Sequence, residues 1–257
     1  MAIRQTRDDA IVELAIDRPA ARNALNTETI AELTQAFSHW AQDPTVHAVI
    51  LTGTGDRAFC AGADLKEVQQ LDGVEARRRY FGGVASLLDT MAMAPQLVIA
   101  AIFGYTLAGG MGLAAGADFV VAADDTRGGL PEINIGLFPM VVMAPIERAI
   151  GPRRTLELVM SGQLVDVSTL DRWGFCNRVV PKDQLHAEAW RFAREITSGS
   201  AAIRRLGKEA WRTVQDLPYR NALQYLHNMV SLVAMTEDSA EGVAAFLAHR
   251  DPKWRHQ

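Results

Sequence analysis

Three short segments of this chain carry residue types that can do chemistry together. The first is Phe59-Cys60-Ala61-Gly62-Ala63-Asp64-Leu65-Lys66-Glu67. Small residues behind a strand let backbone N–H groups approach a ligand closely, and Asp64 can cap a helix that starts after it. The second is Ala108-Gly109-Gly110, at the head of a run of small residues. The first N–H groups of a helix lack partners within it and can stabilise developing negative charge. Two such loops, each behind a buried strand, can aim two N–H donors at one oxygen. That is an oxyanion hole, in which losing one donor costs roughly 10²–10³ in rate. The third is Pro131-Glu132, followed by an uncharged run from Ile133 to Ile146. A carboxyl beside apolar surface has a raised pKa and suits a general acid or base. The same residue types also fit a plain tight loop and an ordinary first-turn glutamate.

Other candidates are thinner. Gly110-Met111-Gly112-Leu113-Ala114-Ala115 matches the G-x-G-x-x-A dinucleotide pattern. It would make the chain a nicotinamide-dependent oxidoreductase, but Tyr105 to Gly109 separate it from the preceding strand, where a dinucleotide turn is tight. The histidines, at 39, 47, 186, 227, 249 and 256, have no metal-ligand spacing, so no metal is expected. No G-x-S-x-G nucleophile turn occurs. Cys60 has no histidine near it in sequence and reads as a small buried side chain.

The elements that must position these segments alternate between strand and helix. Ile11 to Ile16, Ala48 to Thr52, Leu97 to Phe103 and Phe119 to Ala123 are short apolar runs that read as strands, with Ala48 to Thr52 buried on both faces and Leu97 to Phe103 buried as well. Asn26-Thr27 predicts a helix start, with Ile30, Leu33, Phe37 and Trp40 on one face. Ala58 to Asp64 reads as a loop and Tyr105 to Gly110 as a turn into a helix. This order predicts an α/β fold. From about Asp183 the pattern is helical, with Leu223, Leu226, Met229, Val230 and Val233 in one stripe that suits a core or a subunit interface.

Composition bounds the rest. The 257 residues are 49% hydrophobic and 22% charged, which excludes intrinsic disorder. A net charge of −4 argues against a nucleic-acid binder. Two cysteines make no disulfide framework and fit a reducing, cytoplasmic compartment. The uncharged stretch from Thr90 to Ala117 is long enough to span a bilayer, but Pro95, Gln96 and five glycines break it, so no membrane partner is expected.

The loops, in their order and spacing, resemble those of the crotonase superfamily, the enoyl-CoA hydratase/isomerase family. Arg18-Pro19 with Arg22-Asn23-Ala24-Leu25 is similar to its first motif, and Phe59 to Glu67 to its first oxyanion-hole loop. Gly104 to Gly110 resembles the second such loop, Pro131-Glu132 the catalytic-glutamate turn, and Glu241 to Phe246 with Arg250 the C-terminal signature. The resemblance implies an α/β, crotonase-like spiral of ββα units. Residues 1–195 would form the catalytic and CoA-binding core, and residues 196–257 a helical region for trimerisation that covers the acyl pocket. It implies an acyl-CoA thioester as substrate, no separate cofactor, and a homotrimer or a dimer of trimers. By motif position, the N–H groups of Ala63 and Gly109 would hold the thioester oxygen and Glu132 would move the proton. Backbone around Ala61, Asp64 and Leu65 would meet the adenine end, and Arg22 the CoA phosphates. The uncharged run from Ile133 to Ile146 would line the acyl pocket.

One departure bears on the reaction. The family's hydratases hold water between two glutamates. Glu132 matches one, whereas the other would stand at Gly112. Met140-Val141-Val142 also replaces a glycine-rich turn. Double-bond isomerisation needs one carboxyl and is favoured over hydration. The alternatives are hydration with a displaced second acid, such as Glu75 or Asp72, and a non-catalytic CoA-binding protein.

Overall fold

The computed structural model describes residues 1–256. β1 (Ile3–Asp8) runs antiparallel to β2 (Ile11–Ile16), and α1 (Thr27–Ala41) follows. Asn26 caps α1 by accepting from the Thr29 N–H, and Ile30, Leu33 and Phe37 face inward. Three strand pairs then succeed one another. β3 (Ala48–Gly53) and β4 (Ala58–Cys60) lead to α2 (Leu65–Gln70) and α3 (Gly73–Met93). β5 (Leu97–Ile102) and β6 (Tyr105–Leu107) lead to α4 (Gly109–Gly116). β7 (Phe119–Ala123) and β8 (Arg127–Gly129) lead to a short 3-10 turn, Pro131–Ile135. Then come α5 (Met143–Ile150), α6 (Pro152–Ser161), β9 (Leu164–Asp166), α7 (Val167–Arg172), β10 (Arg178–Val180) and α8 (Leu185–Thr197).

The members of each pair go to different sheets. The long strands join a six-stranded sheet in the order β1-β2-β3-β5-β7-β10, and the short ones a four-stranded sheet in the order β4-β6-β8-β9. Within each sheet the successive strands β3, β5, β7 and β4, β6, β8 are parallel. This is the repeated ββα spiral. It also has a functional consequence: the ends of β4, β6 and β8 lie side by side, and each candidate segment begins at one of them.

The long strands form because their apolar runs are enclosed on both faces, as the buried patterns of β3 and β5 show. The short strands correct the sequence reading. Ala58 to Asp64 opens with β4, and Tyr105 to Gly110 opens with β6. β1 was likewise not visible, because only its first residue is buried. The uncharged stretch from Thr90 to Ala117 divides among the end of α3, β5, β6 and α4. Among the described residues no helix is long and apolar enough to cross a membrane.

Residues 1–193 form one compact unit, and the chain from Arg194 onward forms a second. The second unit holds α9 (Ala201–Val214), α10 (Tyr219–Ala234) and α11 (Glu237–Leu247). Within it the enclosed Asp238 carboxylate accepts from the Ser200 hydroxyl and from the Arg255 and His256 N–H groups. α10 buries no side chain, so the predicted stripe is not core: Leu223, Leu226 and Val230 are all exposed.

Candidate active site

The first loop is built on a single parallel bridge between Leu25 and Ala63. The Leu25 N–H donates to Gly62 O at 2.7 Å, and the Asp64 N–H donates to Leu25 O at 2.9 Å. Backbone groups alternate in direction along an extended segment. With Gly62 O and Asp64 N turned toward Leu25, the Ala63 N–H points the other way, and it finds no acceptor among the described residues.

The second donor comes from the head of α4. Gly109 is the first residue of this helix, so its N–H has no partner within it. The preceding Ala108 has φ 52° and ψ −122°, a conformation that costs an L-residue about 1–3 kcal/mol. It is held there from both sides: its N–H donates to Gly129 O at 2.9 Å, and its carbonyl accepts from Gly112 N at 3.0 Å. The strained turn sets the helix start beside the first loop. A Cβ on Gly62 would lie 2.5 Å from the Ala108 methyl carbon and 3.1 Å from Gly109 N. Only glycine fits there, and its φ of +93° demands glycine independently. The two loops are therefore in contact, and two free N–H donors leave from their junction.

Glu132 enters from the third short strand. Gly129, which holds Ala108, is the last residue of β8, and Glu132 follows three residues later behind Pro131 at the turn's first position. Its carboxyl is half-buried, and Oε2 is enclosed without a hydrogen-bond partner. Burial pushes its pKa above the ordinary glutamate value, opposed only by its own backbone N–H. A carboxyl in this state releases and recaptures a proton near working pH more readily than a solvated one.

The departure at Gly112 has a physical counterpart. Gly112 is enclosed in α4, and a Cβ there would fall 2.3 Å from Val142 Cγ1 and 2.6 Å from Val142 Cβ. Val142, itself buried, fills the space a side chain at 112 would need. The same contact removes the dinucleotide reading, since the middle of the glycine motif packs on protein. The candidate substitute acids are both exposed, Asp72 at the N-cap of α3 and Glu75 in its first turn.

The predicted CoA-contacting residues are more committed than the sequence suggested. The Ala61 N–H is spent on Arg22 O at 3.1 Å. Asp64 pairs with Arg18 at 2.8 Å and caps α2 through the Lys66 N–H at 3.1 Å. Burial works against the Asp64 charge, yet Arg18 and these N–H groups hold its pKa below the usual carboxylate value. Leu65 opens α2 with its side chain half exposed. Arg22, in left-handed backbone at φ 53°, lays its guanidinium over the Tyr105 ring at 5.9 Å. The uncharged run expected to line the acyl pocket is split: Ile133, Ile135 and Met140 are exposed, whereas Val142 and Ile146 are buried. Sequence reasoning assigned no role to Arg18 and Tyr80, which hold the first loop, or to Asn23, which ties the turn after β3 to the start of β4. Their partners lie up to 55 residues away, so no local pattern announces them.

Comparison with known proteins agrees with this fold. Residues 6–257 match the family described as Enoyl-CoA hydratase/isomerase. A Mycobacterium bovis protein named as a probable enoyl-CoA hydratase is 35% identical over 252 residues, covering 98% of this chain and 96% of that protein. The carnitinyl-CoA dehydratase of Escherichia coli strain K12 is 33% identical over 261 residues, covering 99% of this chain and 98% of the other. Among solved structures, an enoyl-CoA hydratase of Mycobacterium smegmatis superposes with a TM-score of 0.96 at 31% identity, covering 99% of both chains. One from Bacillus anthracis gives 0.95 at 30% identity, covering 100% of both. With the match running over nearly the whole chain and the spiral superposing on these structures, the chain belongs to the enoyl-CoA hydratase/isomerase family and has its crotonase fold.

Proposed function

We propose that this acyl-CoA enzyme moves a double bond along an enoyl-CoA, with Glu132 as its single acid/base. The observation that carries the reading is the contact of Val142 with Gly112, which leaves no room at position 112 for a second acid. In the reaction, Glu132 takes a proton from C2 of a 3-enoyl thioester. The electron pair delocalises onto the thioester oxygen, where the Ala63 and Gly109 N–H groups offset its charge. The enolate then collapses, the double bond moves from C3–C4 to C2–C3, and Glu132 returns the proton at C4. Atoms and charge balance without a metal or a further cofactor. Arg22 faces the CoA phosphates, while backbone near Ala61, Asp64 and Leu65 meets the adenine end. Within this loop the Ala61 and Asp64 N–H groups and the Gly62 and Asp64 carbonyls already have partners, so other backbone groups of the loop make this contact.

The relatives' names favour a second reading, in which water is added or removed, because those proteins are called hydratase or dehydratase. Glu132→Gln tests the part common to both. Turnover should fall by about 10²–10⁴ while acyl-CoA still binds; an unchanged rate would remove Glu132 from either scheme. The proposed assembly is a homotrimer or a dimer of trimers, supported by the exposed apolar side chains of α10. A cytoplasmic site of action is supported by the unpaired thiols of Cys60 and Cys176.

A further inference from the structure

We propose that Tyr80, on α3, is a positioning residue that fixes the direction of the Ala63 N–H and so governs how strongly the thioester oxygen is polarised. This rests on the reading of Ala63 as an oxyanion donor. The Tyr80 side chain is buried, and its hydroxyl donates to Leu25 O at 2.5 Å. The same hydroxyl oxygen accepts from the Asp64 N–H at 3.2 Å. These are the two groups that form the C-terminal half of the Leu25–Ala63 bridge, so one hydroxyl bonds both sides of the joint that aims the donor.

The hydroxyl is itself well fixed. Tyr80, Val84, Leu87 and Met91 are the buried residues of α3 and share one helical face, so the ring is carried by a packed helix. Burial raises the phenol pKa, which keeps the group neutral and able to donate throughout the working pH range. Arg18 supports the same loop differently. Its partly exposed guanidinium donates to Ala24 O and pairs with Asp64. Arg18 thus links the Asp64 side chain to the Ala24 carbonyl, whereas Tyr80 bonds the two backbone groups of the bridge itself.

Removing the hydroxyl leaves the 2.9 Å bond from Asp64 N to Leu25 O in place. The loop should persist with a looser aim. An oxyanion donor counts more in the transition state than in the bound substrate, so the loss should fall on kcat. The expected drop is about tenfold, short of the 10²–10³ that follows outright loss of a donor.

The test is the infrared carbonyl stretch of a saturated acyl-CoA, labelled with carbon-13 at the thioester carbon, bound to the full-length enzyme. The wild type should lower this frequency relative to free thioester. Tyr80→Phe should lose a large part of that shift and lower kcat about tenfold, with KM changed less than about twofold. Site-specific 3-fluorotyrosine at position 80, which keeps the hydroxyl, should retain both, and it also serves if Tyr80→Phe fails to fold. Glu132→Gln should keep the full shift while losing turnover, which separates donor alignment from proton transfer. A Tyr80→Phe enzyme with the full shift and wild-type kcat would overturn the proposal. So would loss of the shift in the fluorotyrosine enzyme. No shift in the wild type would overturn both the proposal and the oxyanion reading beneath it.

Discussion

Glu132 combines two conditions that a proton carrier between carbons requires. Its carboxyl is partly withdrawn from water, and one oxygen has no competing hydrogen bond. Burial raises its pKa, so the acid limb of kcat/KM should lie above the ordinary glutamate value of about 4.3. A pH–rate profile checks this, and a limb at or below that value would contradict it. The sign for stability is opposite. The folded state binds the Glu132 proton more tightly than the unfolded chain, so this group's contribution declines as pH rises from the unfolded pKa through the folded one. Glu132→Gln should therefore gain stability over wild type as pH rises, read from urea midpoints at several pH values. Gly112 and Val142 form the other residue-scale argument. A side chain at 112 overlaps Val142, and overpacking costs about 1–3 kcal/mol. Gly112→Ala should destabilise by at least that much, and adding Val142→Gly should recover part of the loss. Strict additivity in the double-mutant cycle would contradict the direct clash. The missing second glutamate was legible in the sequence, but not what had taken its place, because the two positions meet only after α4 packs on α5.

At the scale of elements, the site depends on short strands following long ones. The long strands were legible because a fully enclosed parallel strand needs an unbroken apolar run, as Ala48 to Leu51 and Val98 to Ile102 provide. The short ones were not. Arg127-Gly128-Gly129 has little strand preference of its own, and it pairs because β6 and β9 flank it. Tertiary pairing, not local propensity, therefore sets side by side the three strand ends that lead to the two N–H donors and to Glu132. Asn23 shows how tightly one such joint is tied. It is fully enclosed with φ 54°, accepts from Arg18 N at 3.0 Å, and donates to Thr54 O at 2.9 Å and Ala58 O at 2.8 Å. Asn23→Ala would orphan all three groups and place alanine in left-handed backbone. The expected loss is about 3 kcal/mol in chemical denaturation, and a loss below about 1 kcal/mol would contradict the account.

At the scale of the whole molecule, α10 is the element that its own chain does not explain. It is long and amphipathic, yet no side chain on it is buried, and Leu223, Leu226 and Val230 face solvent. The stripe was legible in the sequence as apolar periodicity; whether it served a core or an interface was not, because both use the same spacing. The proposed coverage by other copies of the chain predicts a trimer or a dimer of trimers in sedimentation equilibrium. Leu226→Glu with Val230→Glu should shift the mass toward a single chain without unfolding the β-rich unit. A wild type that sediments as a single chain at micromolar concentration would contradict the assembly.

The central claim is that one carboxyl, with Val142 packed where a second would stand, moves a double bond and does not add water. Incubation with a trans-3-enoyl-CoA, followed by mass spectrometry and by the absorbance of the conjugated thioester, tests it most directly. The account predicts a product of unchanged mass with new conjugation, formed by the wild type and lost in Glu132→Gln. A product heavier by one water, formed at a comparable rate, would contradict it and require a second acid elsewhere than position 112.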